Sequence, residues 1–217
     1  MNGSLFLKKH DSMSSNVMGN WMNLWQECAD WCYPTNDNIN RIRVAGQEKP
    51  PQRMIDTCIE ANYTFASGFF SHMFPPNTIW ARYRHPNPLI MQDANVAKYF
   101  EEVSRQVHQI LIGSNFAQEE FQALLCLGSF GTNCLSLEED ENSIVRFKNY
   151  TIDKIRIAEN QYHMVDTISR EYELTSKQAI EKFGLKKLEE AQLNKIIQDA
   201  QQSKNGKFKF VQYICPR

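Results

Sequence analysis

The chain has 217 residues, 42% of them hydrophobic and 12% aromatic, with 24 Lys+Arg against 25 Asp+Glu for a formal net charge of −1. So much apolar material excludes wholesale disorder and leaves room for one large domain or two small ones. The charge balance excludes tight non-specific binding to nucleic acid, because that affinity comes mainly from phosphate neutralisation and counterion release.

Residues 1–14 are polar and are expected to form a flexible N-terminus. From Ser15, the residues Val17, Met18, Trp21, Leu24, Trp25, Cys28, Ala29 and Cys32 recur at helical spacing until Tyr33-Pro34 breaks the pattern. The turn-rich stretch 34–51 marks a loop. A second helix follows in RMIDTCIEANYTFASGFFSHMF, with Ile55, Cys58, Ile59, Phe65, Ala66, Phe69 and Met73 on one broad stripe. Pro75-Pro76 end it, since proline cannot continue a helix and pushes the preceding residue out of helical backbone. The corner SHMFPPNTIWARY therefore aims a new, extended element that carries Trp80.

Pro86 and Pro88 punctuate a loop before a third helix with Val96, Tyr99, Phe100, Val103, Val107, Ile110 and Leu111 on its apolar face. In SNFAQEEFQALLCLG, Ser114 or Asn115 is a candidate cap, Glu119 and Glu120 suit the first turn, and Gly128 is the expected stop. Residues 15–130 thus read as a helical region.

The period then changes. TNCLSLEED, SIVRFKNY, KIRIAEN and HMVDTISREYEL alternate apolar and polar residues between short polar turns, which predicts a meander of three or four strands. Thr175 and Gln178 form a capping-box pair for SKQAIEKF, with Gly184 as its stop. LKKLEEAQLNKIIQDAQQ is a charged amphipathic helix with Leu185, Leu188, Ile196 and Ile197 on one side. The final KFKFVQYICPR is strand-like and needs a partner for its edge, either in the preceding sheet or in a longer chain. The expected fold class is α+β: about four helices, then a small antiparallel β-meander and further helices, with 131–217 continuing in a longer chain.

The six cysteines are scattered, and the Cys28/Cys32 spacing suits one helix face better than a zinc knuckle or a redox motif. The opening MNGSLFLKKHDSMSSN has an apolar run of only three residues, and no stretch approaches the roughly 20 needed to span a bilayer. A soluble protein of a reducing compartment, without a membrane partner, is expected.

Phosphate-loop, dinucleotide, zinc-protease and nucleophile-elbow motifs are absent from the sequence. GSFGTN (128–133) follows a helix and precedes a strand, the reverse of a phosphate loop, and reads as a cap and tight turn. The acidic run Glu138-Glu139-Asp140-Glu141 lacks calcium-loop spacing and reads as solvated turn acids, with a metal-dependent hydrolase as the alternative. His10, His72, His85, His108 and His163 stand apart from any nucleophile. Trp21, Trp25 and Trp31 favour core or subunit contact over base stacking, and they leave open a protein-binding adaptor. Arg41, Arg43, Arg53, Arg82 and Arg84 gather around two loops that could touch phosphate transiently. No catalytic, metal or cofactor residue is assigned.

In order along the chain, WMNLWQECADWCYP, MIDTCIEANYTFASGFFSHMFPPNTIWARY, VAKYFEEVSRQVHQILIGSNFAQEEFQALLCLGSFGTNCLSLEED and VDTISREYELTSKQAIEKFG resemble the N-terminal part of the portal, or head-to-tail connecting, proteins of T7-like podoviruses. The likeness covers residues 15–217. It implies a wing-like region in which the Pro-Pro corner fixes helix angles and Trp80 anchors the next segment. It also implies a non-enzymatic cyclic homo-oligomer, a dodecamer, at one capsid vertex of the virion, assembled in the host cytoplasm. Its implied partners are the major capsid protein, the terminase, tail adaptor proteins and the double-stranded DNA passing through the channel. Family chains are about twice this length or more, so no channel-lining residue is carried over.

Overall fold

A computed structural model of the chain describes residues 3–36, 38–41, 46, 56–184, 196–197 and 206–216. A run of helices precedes a run of strands, as expected for an α+β chain: α1 (Gly3–Cys32), α2 (Thr57–Met73), α3 (Ala94–Gly113), α4 (Phe116–Phe130), β1 (Cys134–Asp140), β2 (Ile144–Tyr150), β3 (Ile155–Glu159), β4 (Val165–Thr175), α5 (Ser176–Phe183) and β5 (Lys207–Ile214). They form two compact units, one of Asn20–Asp153 and one of Met1–Gly19 with Lys154–Arg217. Helix α1 starts at Gly3 and lends its first turns to the second unit, while β1 and β2 stay with the helices that precede them.

In the first unit the core gathers Tyr33, Ala66, Leu124, Leu125 and Cys126, with Phe70, Phe121, Leu127 and Phe130 packed against it. Ala66 has no exposed surface, so α2 and α4 can approach closely there. Burial raises the Tyr33 hydroxyl and the Cys126 thiol above their usual pKa ranges. At the start of α3 the Asp93 side chain accepts from the Asn95 amide, a regular N-cap.

Helix α4 does not stop at Gly128. It runs to Phe130, and Gly131 caps it in left-handed backbone at φ 71°. Asn115 occupies the N-cap position without capping. Its amide serves β2 instead: Nδ2 donates to Phe147 O and Oδ1 accepts from Phe147 N, each at 2.8 Å. Four residues on, Glu119 Oε2 accepts from Asn149 N at 2.7 Å. The first turn of α4 thereby holds the edge of the β1–β2 hairpin in register.

The four expected strands do not make one meander. β1 pairs with β2 alone, and β3, β4 and β5 form a separate antiparallel sheet in that order. A short 3-10 turn, Ile152–Lys154, interrupts the ladder between the two. The terminal strand is tucked in as one of the two expected options, pairing from Ile168↔Ile214 to Thr175↔Lys207. Phe6 packs on Tyr213 (centroids 5.1 Å apart), and buried His10 Nδ1 lies 2.6 Å from Ser169 Oγ on the same sheet face. The capping box of Thr175 and Gln178 forms as expected, with Gly184 at the C-cap of α5. Of the amphipathic helix after Gly184, only Ile196 and Ile197 are described; both are helical, and Ile196 is buried.

Candidate functional site

The corner after α2 is built around a cluster of aromatic rings. Phe74 ends α2, its backbone N–H bonding to Phe70 O, and Pro75-Pro76 turn the chain. Trp80 then inserts among aromatics from three elements. It meets Phe74 edge-on at 5.0 Å between centroids, stacks on Phe116 at 5.8 Å and 21°, and abuts the His108 ring at 6.3 Å. Phe116 in turn meets Phe147 of β2 edge-on at 5.1 Å. One indole therefore ties the end of α2, the C-terminal part of α3 and the start of α4, and reaches the hairpin through Phe116. The corner is rigid because proline fixes the backbone while this cluster fixes the segment that follows.

A second clasp lies on the opposite stretch of α2. Buried Asn62 Nδ2 faces Cys32 O (3.3 Å), Leu125 O (3.2 Å) and Ser129 Oγ (2.9 Å). Its Oδ1 sits so close to Gly128 that an added Cβ would lie 2.2 Å away. Gly128, expected as a helix stop, is instead where two helices come into contact across a missing side chain. Sequence periodicity gave no signal for Asn62, because a single polar residue inside an apolar stripe reads as noise.

The sequence-derived chemical candidates do not converge. Strand alternation puts Glu138 and Asp140 on one face of the hairpin and Glu139 on the other. Asp140 accepts from Ser143 N and Oγ and lies 3.6 Å from Arg146 Nε, and the Ser143 bonds hold its carboxyl below the usual range. Among the described residues no group of three His, Cys, Asp or Glu side chains could hold a metal. His72 contacts Gly68 O, His85 accepts from Asn87 N, and His163 sits beside Glu159 in solvent. Arg41 pairs with Asp30 at 2.8 Å. Arg82 and Arg84 are exposed, while Arg43 and Arg53 lie outside the described residues.

Exposed large apolar side chains occur on helices, strands and loops alike. Phe65, Phe69 and Met73 stay 40%, 44% and 52% exposed on α2, while Asn62 and Ala66 are buried. Helical spacing sets Phe69 and Met73 in line with Asn62 and Ala66, and Phe65 comes close to Gly128 of α4, so the predicted stripe is one face that is only partly covered. Trp21 stacks with Trp25 (6.4 Å), yet Trp21 and Trp31 are about half exposed. Exposed aromatic side chains are enriched at surfaces that meet other protein. None of the described helices is long and apolar enough to cross a membrane.

Comparison with known proteins gives a consistent result. A family profile described as bacteriophage head to tail connecting protein matches residues 9–217. The chain is similar to the "Portal protein" of Salmonella phage epsilon15, 25% identical over 162 residues, which are 74% of this chain and 29% of that relative. It is also similar to the "Probable portal protein" of Bordetella phage BPP-1, 26% identical over 165 residues, 76% of this chain and 30% of the relative. The chain thus aligns with under a third of the length of these curated relatives.

Proposed function

The chain belongs to the bacteriophage head to tail connecting protein family, and on that premise we propose that it is portal-type structural protein, one subunit of a ring at a single vertex of the capsid. In this reading copies of the chain surround a channel through which double-stranded DNA enters and leaves the head, and the ring carries the tail. The copy number we infer is twelve. Its partners are then other copies of itself, the major capsid protein, the terminase that drives DNA inward, and tail adaptor proteins. The protein contributes geometry to this process and no bond-making step.

The observation that carries the reading is the family match over residues 9–217, on a chain that leaves large apolar side chains of α1 and α2 half exposed. Phe65, Phe69 and Met73 on α2, with Trp21 and Trp31 on α1, are side chains that a lone subunit leaves in water and a ring covers. A ring needs two different matching faces on each subunit, because head-to-tail contacts are heterologous. A formal charge of −1 suits a duct that passes a polyanion without trapping it.

Gold-labelled antibody raised against the chain tests the proposal on intact virions. One labelled vertex per particle, at the tail, is the expected image. Label spread over the capsid surface, or absent from purified particles, overturns it.

A further inference from the structure

We propose that the acidic tip of the β1–β2 hairpin seats in an arginine-rimmed groove beside α3 of a neighbouring copy of the same chain. This names a contact within the ring and rests on the ring reading above.

The groove has a volume of about 460 Å³ and lies between the 79–88 segment and α3. Ile79, Met91 and Phe100 give it an apolar floor, and Arg82 and Arg84 rim it, with Glu101 as the one acid in its lining. Both arginines are exposed, and neither makes an ion pair among the described residues. Residues 79–85 belong to no helix or strand, so the groove is bordered by backbone outside any sheet.

The hairpin tip has the complementary chemistry. Glu138, Glu139 and Glu141 are exposed there, and beside them Leu137 and Ile144 stand 62% and 60% exposed. The tip is preformed, because Asp140 accepts two hydrogen bonds from Ser143. Ile144 is held at φ 66°, left-handed backbone that a β-branched residue adopts only under constraint. At its base the hairpin is pinned to α4 by the Asn115 and Glu119 bonds. The register sets Leu137 on the face of Glu139 and Ile144 on the face of Glu138 and Asp140, so each face of the tip carries one exposed aliphatic beside a carboxylate to set against an apolar floor flanked by guanidiniums. A nucleic acid would answer the arginines but offers nothing like Leu137 and Ile144 to the floor. Knob and groove are different surfaces of the same unit, which is what a head-to-tail contact requires.

Reciprocal charge exchange in the full chain tests this. Arg82→Glu with Arg84→Glu, or Glu139→Arg with Glu141→Arg, should each raise the concentration needed for half-assembly by roughly tenfold or more, since like charges set against each other oppose association. Combining all four should restore assembly, an outcome that misfolding cannot mimic. Circular dichroism melts of each variant check folding separately. A photo-crosslinking residue in place of Ile144, in assemblies mixed from isotope-labelled and unlabelled chains, should yield intermolecular adducts on Met91 or Phe100. Wild-type assembly that withstands both double exchanges, or is lost without rescue, or yields adducts elsewhere, overturns this contact and leaves the ring reading standing. A wild-type chain that never assembles overturns both.

Discussion

Asn115 faces Phe147 with two hydrogen bonds of 2.8 Å, its side-chain amide acting as though it were one more peptide unit beside β2. A residue at a helix N-cap has forsaken the cap to hold a strand edge. The consequence is that the hairpin is fixed to the helical part of its unit by polar bonds as well as by the Phe116–Phe147 contact. Asn115→Ala leaves the Phe147 N–H and C=O without these partners, and a loss of about 1–3 kcal/mol is expected. Hydrogen exchange should show the Phe147 amide opening much faster, with α2 amides unchanged.

Gly128→Ala should reverse the usual helix rule. Alanine in mid-helix ordinarily gains about 0.5–1 kcal/mol over glycine. Here the new Cβ would sit 2.2 Å from Asn62 Oδ1 and 3.0 Å from Phe65 Cδ1. Asn62 cannot swing aside without giving up its contacts to Cys32 O, Leu125 O and Ser129 Oγ. A net loss of about 1–2 kcal/mol is expected. Gly68 of α2 has nothing within 4 Å of its added Cβ, so Gly68→Ala should stabilise by about 0.5–1 kcal/mol. Urea titrations of the two variants check both signs.

Trp80→Ala removes the ring shared by Phe74, Phe116 and His108. The indole is half-buried, so a cost of about 2–4 kcal/mol is expected, below that of a fully enclosed tryptophan. Trp80→Phe should recover part of it. The 79–85 segment should lose protection from proteolysis in the alanine variant and keep most of it in the phenylalanine variant.

The second unit should be acid-sensitive through Glu171. The Lys209 ammonium bonds its Oε1 at 2.9 Å and holds the carboxyl below the usual range, aided by His10 and Arg156 nearby. A depressed carboxyl pKa means the unfolded chain takes up protons first as the pH falls. The stability this group contributes is therefore present above the ordinary glutamate pKa of about 4.3 and lost as the pH falls through the lower folded value. Glu171→Gln should lower stability at neutral pH and flatten the acid limb. Thermal melts of wild type and variant should converge in strong acid.

Much of the architecture was legible in the sequence where one rule acted alone. The Thr175/Gln178 box, the Pro-Pro corner and the alternation of β2 are local signals, and each stands where its pattern places it, whereas Tyr99 of the expected α3 face and Leu137 of β1 are exposed. The failures share a cause in tertiary context. The start of α1 looks like a polar tail because its sheet contacts run partly through His10–Ser169 and Arg156–Ser14 hydrogen bonds, which leave no apolar stripe to read. Gly128 resembles a stop until Asn62 is known to lie against it. Four consecutive alternating stretches resemble one meander, and nothing in their period marks the break at Ile152–Lys154. Of the candidate site, Trp80 was visible as a lone indole past a proline corner, whereas the arginine-rimmed groove required the fold to bring the 79–88 segment onto α3.

The central claim is that the half-exposed apolar side chains of α1 and α2 exist to close copies of the chain around a hole. Cryo-electron microscopy of the purified product of the complete gene, with mass photometry on the same sample, tests it most directly. The account predicts closed rings of one predominant mass, twelve times that of the subunit, with an open centre wide enough for duplex DNA. A monomer that persists as the protein is concentrated, or a compact oligomer without a hole, would contradict it.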